Sequence, residues 1–257
     1  MSAPMPTPPR PVLVTRPAGR ADALVTLLQR QGLGVEHRPL VHLTLEGGTE
    51  LAGACQRLAA GAYTHLVVTS RTTVEALLAA SDAGSAPRLV VPATTQVVAV
   101  GTGTAEALAA AGAPASLVAD GSGAALVGAM PPVADGTGEV LLPASAAASP
   151  TVPEGLAAKG YRLEQVIAYR PETVPLPAAT ADALRRGEYA AIVLTSPMIA
   201  RAAASVGVHE STAVVTIGAP TDGAARAAGL PAPVQAEAPT DDALVGAVLS
   251  ALSSRKS

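Results

Sequence analysis

The chain of 257 residues contains no phenylalanine, no tryptophan and a single cysteine, and aromatic residues make up only 2% of it. A core without Phe or Trp must be built from Val, Leu, Ile and Ala, with about 100–200 residues per domain setting one large or two modest cores. Cys55, being alone, excludes a disulfide framework and a thiolate metal cluster. Its surroundings, Leu51 to Leu58, read as an amphipathic helix with the thiol in the core and no activating partner. His37, His42, His65 and His209 form no HExxH pattern and no close pair, so no metal site is expected. A net charge of −3, scattered basic residues and a lack of stacking aromatics argue against nucleic acid as a partner. No apolar run approaches the ~18 residues of a membrane span, because Arg, Asp, Pro and Gly interrupt each stretch. Residues 1–10 lack the charged-then-apolar order of a signal peptide and read as a disordered leader. These absences leave a soluble globular protein, expected in the cytoplasm.

What is present is a regular alternation. Val12-Leu13-Val14-Thr15 precedes Ala23, Leu24, Leu27 and Leu28 at helical spacing, with Gly32 as the stop. Leu66–Thr69, Val97–Val100, Val140–Leu142, Ile192–Thr195 and Val214–Ile217 are likewise β-rich runs, each followed by a helical segment. Strands apolar on both faces and alternating with helices imply parallel sheets covered on two sides. The class is α/β.

An internal repeat gives the organisation. His65-Leu66-Val67-Val68-Thr69-Ser70 returns as Ala191-Ile192-Val193-Leu194-Thr195-Ser196, and Val98-Ala99-Val100-Gly101 returns as Val215-Thr216-Ile217-Gly218. Ala125-Leu126-Val127-Gly128-Ala129 recurs letter for letter as Ala243–Ala247. Three matches in one order indicate two similar α/β units. Two extended segments, 34–40 and 160–171, read as connectors, and each contains an Arg-Pro step that disfavours helix. The expected division is a discontinuous domain of residues 1–39 plus 173–257 and an inserted domain of 40–172, joined by a two-stranded β hinge beside a cleft.

In open parallel sheets, ligands bind beyond the carboxyl ends of the strands. Both units place hydroxyl and glycine residues there: Thr69-Ser70 and Thr195-Ser196, then Gly101-x-x-Thr104 and Gly218-x-x-Thr221. Ser and Thr at such positions cap helices, and Thr72-x-x-Glu75 fits a capping box. The same helix starts offer amides and partial positive charge to carboxylates or phosphates. Gly101-Thr102-Gly103 lacks the third glycine of a dinucleotide fingerprint, and no GxxxxGK[ST] exists, so neither nucleotide motif is expected.

On these residues the chain resembles the uroporphyrinogen-III synthase family. The likeness runs from Val14-Thr15-Arg16-Pro17 to Ala243-Leu244-Val245, and its more telling pieces are the Thr-Ser strand ends, Ala99-Val100-Gly101-x-x-Thr104-Ala105, Ile217-Gly218-x-x-Thr221 and Val166-x-Ala168-Tyr169-Arg170. The resemblance implies two flavodoxin-like, parallel-sheet α/β domains joined by a β ladder, with no cofactor and no membrane or nucleic-acid partner. A monomer is the expected state. The implied substrate is hydroxymethylbilane, a linear polycarboxylate tetrapyrrole, closed to uroporphyrinogen III with loss of water and inversion of ring D.

The resemblance also implies roles for residues. Tyr169 stands at the family's functionally important tyrosine and would hydrogen-bond or protonate the departing hydroxyl; the alternative is a hinge tyrosine packing beneath the connector. Arg16 would pair with a propionate or serve as a structural surface arginine. Ser70, Gly101, Thr104, Ser196, Gly218 and Thr221 are carried over as substrate-binding positions, mostly through backbone amides. Leu142-Pro143-Ala144 stands where many relatives have Leu-Pro-Arg, and Thr72 where many have Asn, with Arg71 a candidate replacement for the missing charge. Pro150 and Pro153 interrupt the helix expected after Leu142. A two-lobed, non-catalytic binding or sensor module for a tetrapyrrole or other polyanion is the competing function.

Overall fold

The computed structural model describes residues 10–81, 88–133 and 137–255. Its first elements are β1 (Val12–Val14), α1 (Asp22–Arg30), β2 (Val35–His37), β3 (Val41–Leu45), α2 (Thr49–Ala59), β4 (His65–Val68) and α3 (Arg71–Ala80). Next come β5 (Gln96–Val100), α4 (Thr102–Ala110), β6 (Leu117–Ala119), α5 (Gly123–Ala129), β7 (Glu139–Ser145), α6 (Thr151–Ala157) and β8 (Arg162–Thr173). The remainder is α7 (Ala178–Arg185), β9 (Ala191–Leu194), α8 (Pro197–Val206), β10 (Ala213–Thr216), α9 (Ala219–Ala227), β11 (Val234–Gln235) and α10 (Asp241–Ser253). Of the expected leader only Arg10 is described, and it donates to the Gly187 carbonyl at 2.9 Å; the rest of the leader lies outside the described residues.

The chain divides into two compact units, residues 1–42 with 172–257, and residues 43–171. The first holds a sheet in the order β11-β10-β9-β1-β2, all parallel where paired. The second holds β3-β8-β7-β4-β5-β6. Apart from the added edge strand β3, the two orders are the same, with β9 standing for β4, β10 for β5 and β1 for β7. Parallel neighbours need a helical crossover, and each unit supplies one after nearly every strand.

Both faces of each sheet are buried by aliphatic side chains. In the second unit Leu66 and Val68 join Ala99, Leu141 and Val166 on one face, while Val67 joins Val98, Val140 and Leu142 on the other. In the first, Val12, Val14, Val193 and Val215 pack against Leu24 and Leu28 of α1 and Leu244 and Val248 of α10. Burying one such Leu or Val contributes about 1.5–3 kcal/mol, so a core without Phe or Trp depends on many of them. Cys55 is one core member: its thiol is 3.9 Å from the Leu77 carbonyl, and burial, only partly opposed by a Ser81 hydrogen bond, pushes its pKa up.

Two segments differ from the sequence reading. Residues 34–40, expected as a connector, contain β2, which pairs in parallel with β1 as Val12 with Val35 and Val14 with His37. Its Glu36 and Arg38 give it a connector's polarity, but Glu36 is taken up by Tyr189, Thr180 and Arg38. The first passage from one unit to the other is made instead by β3, beside β8. The prolines after Leu142 do not prevent a helix: Pro150 is the N-cap of α6 and Pro153 lies in its first turn, where no intrahelical amide is lost.

The repeat extends to polar contacts at the strand starts. Tyr189, just before β9, donates to Glu36 Oε2 at 2.7 Å, and Thr212 donates to the Tyr189 carbonyl at 3.1 Å. Tyr63, just before β4, donates to Glu164 Oε2 at 2.7 Å, and Thr95 donates to the Tyr63 carbonyl at 2.7 Å. Arg38 pairs with Glu36 at 3.0 Å, and Arg57 pairs with Glu164 while donating to the Tyr63 hydroxyl. Each unit thus ties a strand start to its β2- or β8-type strand through one phenol and one carboxylate.

Burial, then the hydrogen bond to Glu36, pushes the Tyr189 phenol up to about 12. A pKa raised on folding contributes stability that is intact below the ordinary tyrosine value near 10 and is lost as pH rises through the folded value. Alkaline denaturation should therefore steepen between about pH 10 and 12. Tyr189→Phe should flatten that interval, as read by urea midpoints across the pH series.

Candidate active site

Because β4 and β5 run parallel, α3 and α4 both start at one edge of the second unit's sheet. Ser70 is the N-cap of α3 in extended conformation, its Oγ accepting from the Thr73 amide at 3.2 Å and lying 3.0 Å from Thr73 Oγ1. The helix therefore starts earlier than the capping-box spacing of Thr72 and Glu75 predicts. Thr72 is already inside the helix and buried, and the cap falls two residues before it, where the chain leaves its extended course. The Ser70 hydroxyl also donates to the Tyr169 phenol oxygen at 3.3 Å.

Tyr169 reaches that position through an irregularity in β8. Pro143 is opposite Val166 and Ala144 opposite Ile167, but Ser145 is opposite Tyr169, so Ala168 is an extra residue in the ladder. Such a bulge bends the strand and re-aims the next side chain. Ala168 is fully buried, and the Tyr169 ring packs half-buried against the same core while its hydroxyl meets Ser70. The Ala168 carbonyl accepts from the Glu46 amide at 2.8 Å and Arg170 pairs with the Glu46 carboxylate at 2.7 Å, fixing the bulged stretch on both sides.

Gly101 is the N-cap of α4 at φ 75° and ψ 152°, a conformation essentially confined to glycine. Its carbonyl accepts from the Thr104 and Ala105 amides, leaving the Thr102 and Gly103 amides at the helix start for other acceptors. Thr104 is buried to 6% exposure. Exposed Arg71 lies across this end: a Cβ on Gly103 would be 3.7 Å from its Cδ and 3.8 Å from its Nε. No carboxylate among the described residues pairs with Arg71. Repulsion from two helix N-termini is unfavourable for a cation there unless an anion joins them.

The first unit repeats the pattern with fewer donors. Ser196 caps α8 by accepting from the Ile199 amide at 3.2 Å, and the carbonyl of Gly218 accepts from the Thr221 and Asp222 amides at 3.0 Å each. Pro197 and Pro220 stand in the first turns of α8 and α9 and remove one amide from each. Thr221 is buried. Arg16, just past β1, pairs with Asp241 in the first turn of α10 at 2.6 Å and donates to the Arg20 carbonyl at 3.3 Å. Its guanidinium is held by the protein's own carboxylate. Among the sequence-selected residues, the structure joins Ser70 to Tyr169 directly and sets Gly101 and Thr104 on the same sheet edge. The bulge at Ala168 carried no signal in the sequence, while Ser70 was readable as a cap from its place at the end of a strand.

No group of three or more His, Cys, Asp and Glu suited to a metal ion occurs among the described residues. None of their helices is long and apolar enough to cross a membrane. A family model described as uroporphyrinogen-III synthase HemD matches residues 22–246. Among solved structures, a selenomethionine-labelled mutant uroporphyrinogen III synthase from Thermus thermophilus is 22% identical with TM-score 0.62, covering 96% of this chain and 98% of that one. Uroporphyrinogen-III synthetase from Helicobacter pylori is 16% identical with TM-score 0.63, covering 94% and 99%. At these identities the likeness is one of fold. No curated protein matches the chain significantly.

The two N-cap glycines should separate strain from access. A Cβ on either meets nothing within 4 Å, but Gly101 has φ 75° whereas Gly218 has φ 175°, extended backbone open to any residue. Gly101→Ala should cost about 1–3 kcal/mol of stability, and Gly218→Ala should leave the urea midpoint unchanged.

Proposed function

The chain belongs to the uroporphyrinogen-III synthase family, and on that premise we propose that Tyr169 and the second unit's helix starts carry the closure of hydroxymethylbilane. The enzyme is a cyclising lyase of porphyrin biosynthesis. Pyrrole nitrogen expels the terminal hydroxyl, which leaves with a proton as water, and the resulting azafulvene is attacked by the substituted α-carbon of ring D. The spiro intermediate breaks its older bond to ring D and recombines at that ring's free α-carbon, which then loses its proton. Spontaneous closure gives the type I isomer, so the protein's contribution is chiefly to hold one approach geometry.

The observation that carries this reading is the 3.3 Å contact between the Ser70 hydroxyl and the Tyr169 phenol at the start of α3. The ring is packed and its oxygen oriented by a donor, so the phenolic proton is free to point away from Ser70 toward a leaving hydroxyl. Carboxylates of the substrate would settle on the amides of Thr102 and Gly103 and on Arg71. Pro197 and Pro220 leave the first unit with fewer amides, and Arg16 is already paired, so the second unit takes the larger share of the anionic groups. A cytoplasmic monomer completes the proposal, and sedimentation equilibrium tests its oligomeric part.

The test is type III formation from enzymatically generated hydroxymethylbilane, with the isomer ratio resolved by chromatography. Tyr169→Phe should lower the rate about 10–100-fold, at or below the low end of the ~10²–10⁴-fold range for general-acid assistance, because ring nitrogen already drives departure. An unaltered rate removes the acid role. Ser70→Ala should cost about 1 kcal/mol through the lost cap and lower the rate less than Tyr169→Phe. Gly218→Ala, folded normally, should raise KM by crowding the approach to α9. A wild-type chain yielding only type I product would overturn the catalytic reading.

A further inference from the structure

A groove of about 330 Å³ lies wholly within the first unit, where the sheet's carboxyl edge meets the start of β3. Ala18 follows β1, Arg38 and Pro39 follow β2, His42 lies in β3, and Pro175 and Pro177 close the far side. The Val174 amide donates to the Leu40 carbonyl at 3.0 Å and ties the two walls together. Three prolines make those walls apolar and fixed in φ, so the walls need little ordering when a ligand binds. The volume falls in the range of small-molecule sites and is too small for a whole tetrapyrrole.

Two basic groups border the apolar walls. His42 is exposed, and its side chain makes no hydrogen bond or ion pair among the described residues. Arg38 spends its Nε on Glu36 and its Nη1 on the His37 carbonyl, which leaves Nη2 as an open donor at the rim. The Glu36 carboxylate is already shared by Arg38, Thr180 and Tyr189. An apolar slot of one-ring size with an imidazole and a guanidinium edge at its mouth matches a flat heteroaromatic ring bearing a carboxylate arm.

We infer that this groove is a subsite for a single carboxylated pyrrole ring, gripping one end of the linear substrate through stacking on the prolines and a carboxylate contact to His42 and Arg38. This rests on the family reading given above. It assigns the first unit a ring-holding role apart from its helix starts, and it makes His42 and Ala18 determinants of binding with no part in the chemistry.

The test uses the full-length chain with His42→Ala, which removes an unpartnered side chain, and Ala18→Leu, which fills the slot without changing charge. Neither residue is buried, so urea midpoints should match wild type. Each variant should raise KM for hydroxymethylbilane about ten-fold, His42→Ala by the loss of one charge-assisted contact and Ala18→Leu by excluding the ring, with kcat and the type III fraction within about two-fold of wild type. A monopyrrole carrying acetate and propionate arms, followed by NMR shifts, should bind wild type and lose binding in Ala18→Leu. Unchanged KM in both variants overturns the subsite, as does a monopyrrole that binds Ala18→Leu as it binds wild type. Should the wild type form no type III isomer while the monopyrrole still binds and Ala18→Leu still abolishes it, the family reading fails and the groove stands.

Discussion

A parallel strand cannot return to its neighbour by a tight turn, and that constraint organises both units. Each crossover must climb back over the sheet as a helix, so the carboxyl ends of β4, β5, β9 and β10 and the starts of α3, α4, α8 and α9 collect along one edge of their sheets. Everything assigned to ligand binding at the helix starts follows from this: the Ser70 and Ser196 caps, the Gly101 and Gly218 carbonyl acceptors, and the amides just inside the helices. Once the strands pair in parallel, a row of oriented donors follows without any dedicated binding loop.

The opposite edge carries a different kind of residue. Tyr63 and Tyr189 precede β4 and β9, are buried, and hydrogen-bond Glu164 and Glu36; Tyr161 precedes β8 and donates to the Pro131 carbonyl at 2.9 Å. Three of the four tyrosines therefore brace strand starts in a core otherwise made of aliphatic side chains. Tyr169 alone lies far along its strand, beyond a bulge, with its hydroxyl facing a helix start. In a protein this poor in aromatics, position along the strand separates the bracing phenols from the one proposed to take part in the reaction.

Much of the fold was legible because its signals are local. Runs such as Ile192–Leu194, buried on both faces, and stops such as Gly32 and Gly112 announce strands and helix ends, and the repeat is written in nearly matching letters. The segment around Glu36 was misread because its charge serves a long-range partner, Tyr189, which no spacing rule reveals. The same holds for Arg16, whose Asp241 partner lies near the other end of the chain, and for Ala168, an ordinary residue that becomes a bulge only through its pairing with β7. Ser70 was legible as a cap, whereas its contact with Tyr169 depends on that bulge.

The second unit is one uninterrupted stretch, 43–171, entered through β3 and left through β8, which are neighbours in a sheet. The Glu46 amide and carboxylate fasten these two strands at the base by binding the Ala168 carbonyl and Arg170. A stretch with adjacent ends is a natural cassette. It is bounded by two points in the sequence, while the first unit is assembled from two separated pieces of chain. Recombination, in the laboratory or in descent, therefore has a far simpler route to altering the unit that bears Tyr169 than to altering the one that bears Arg16.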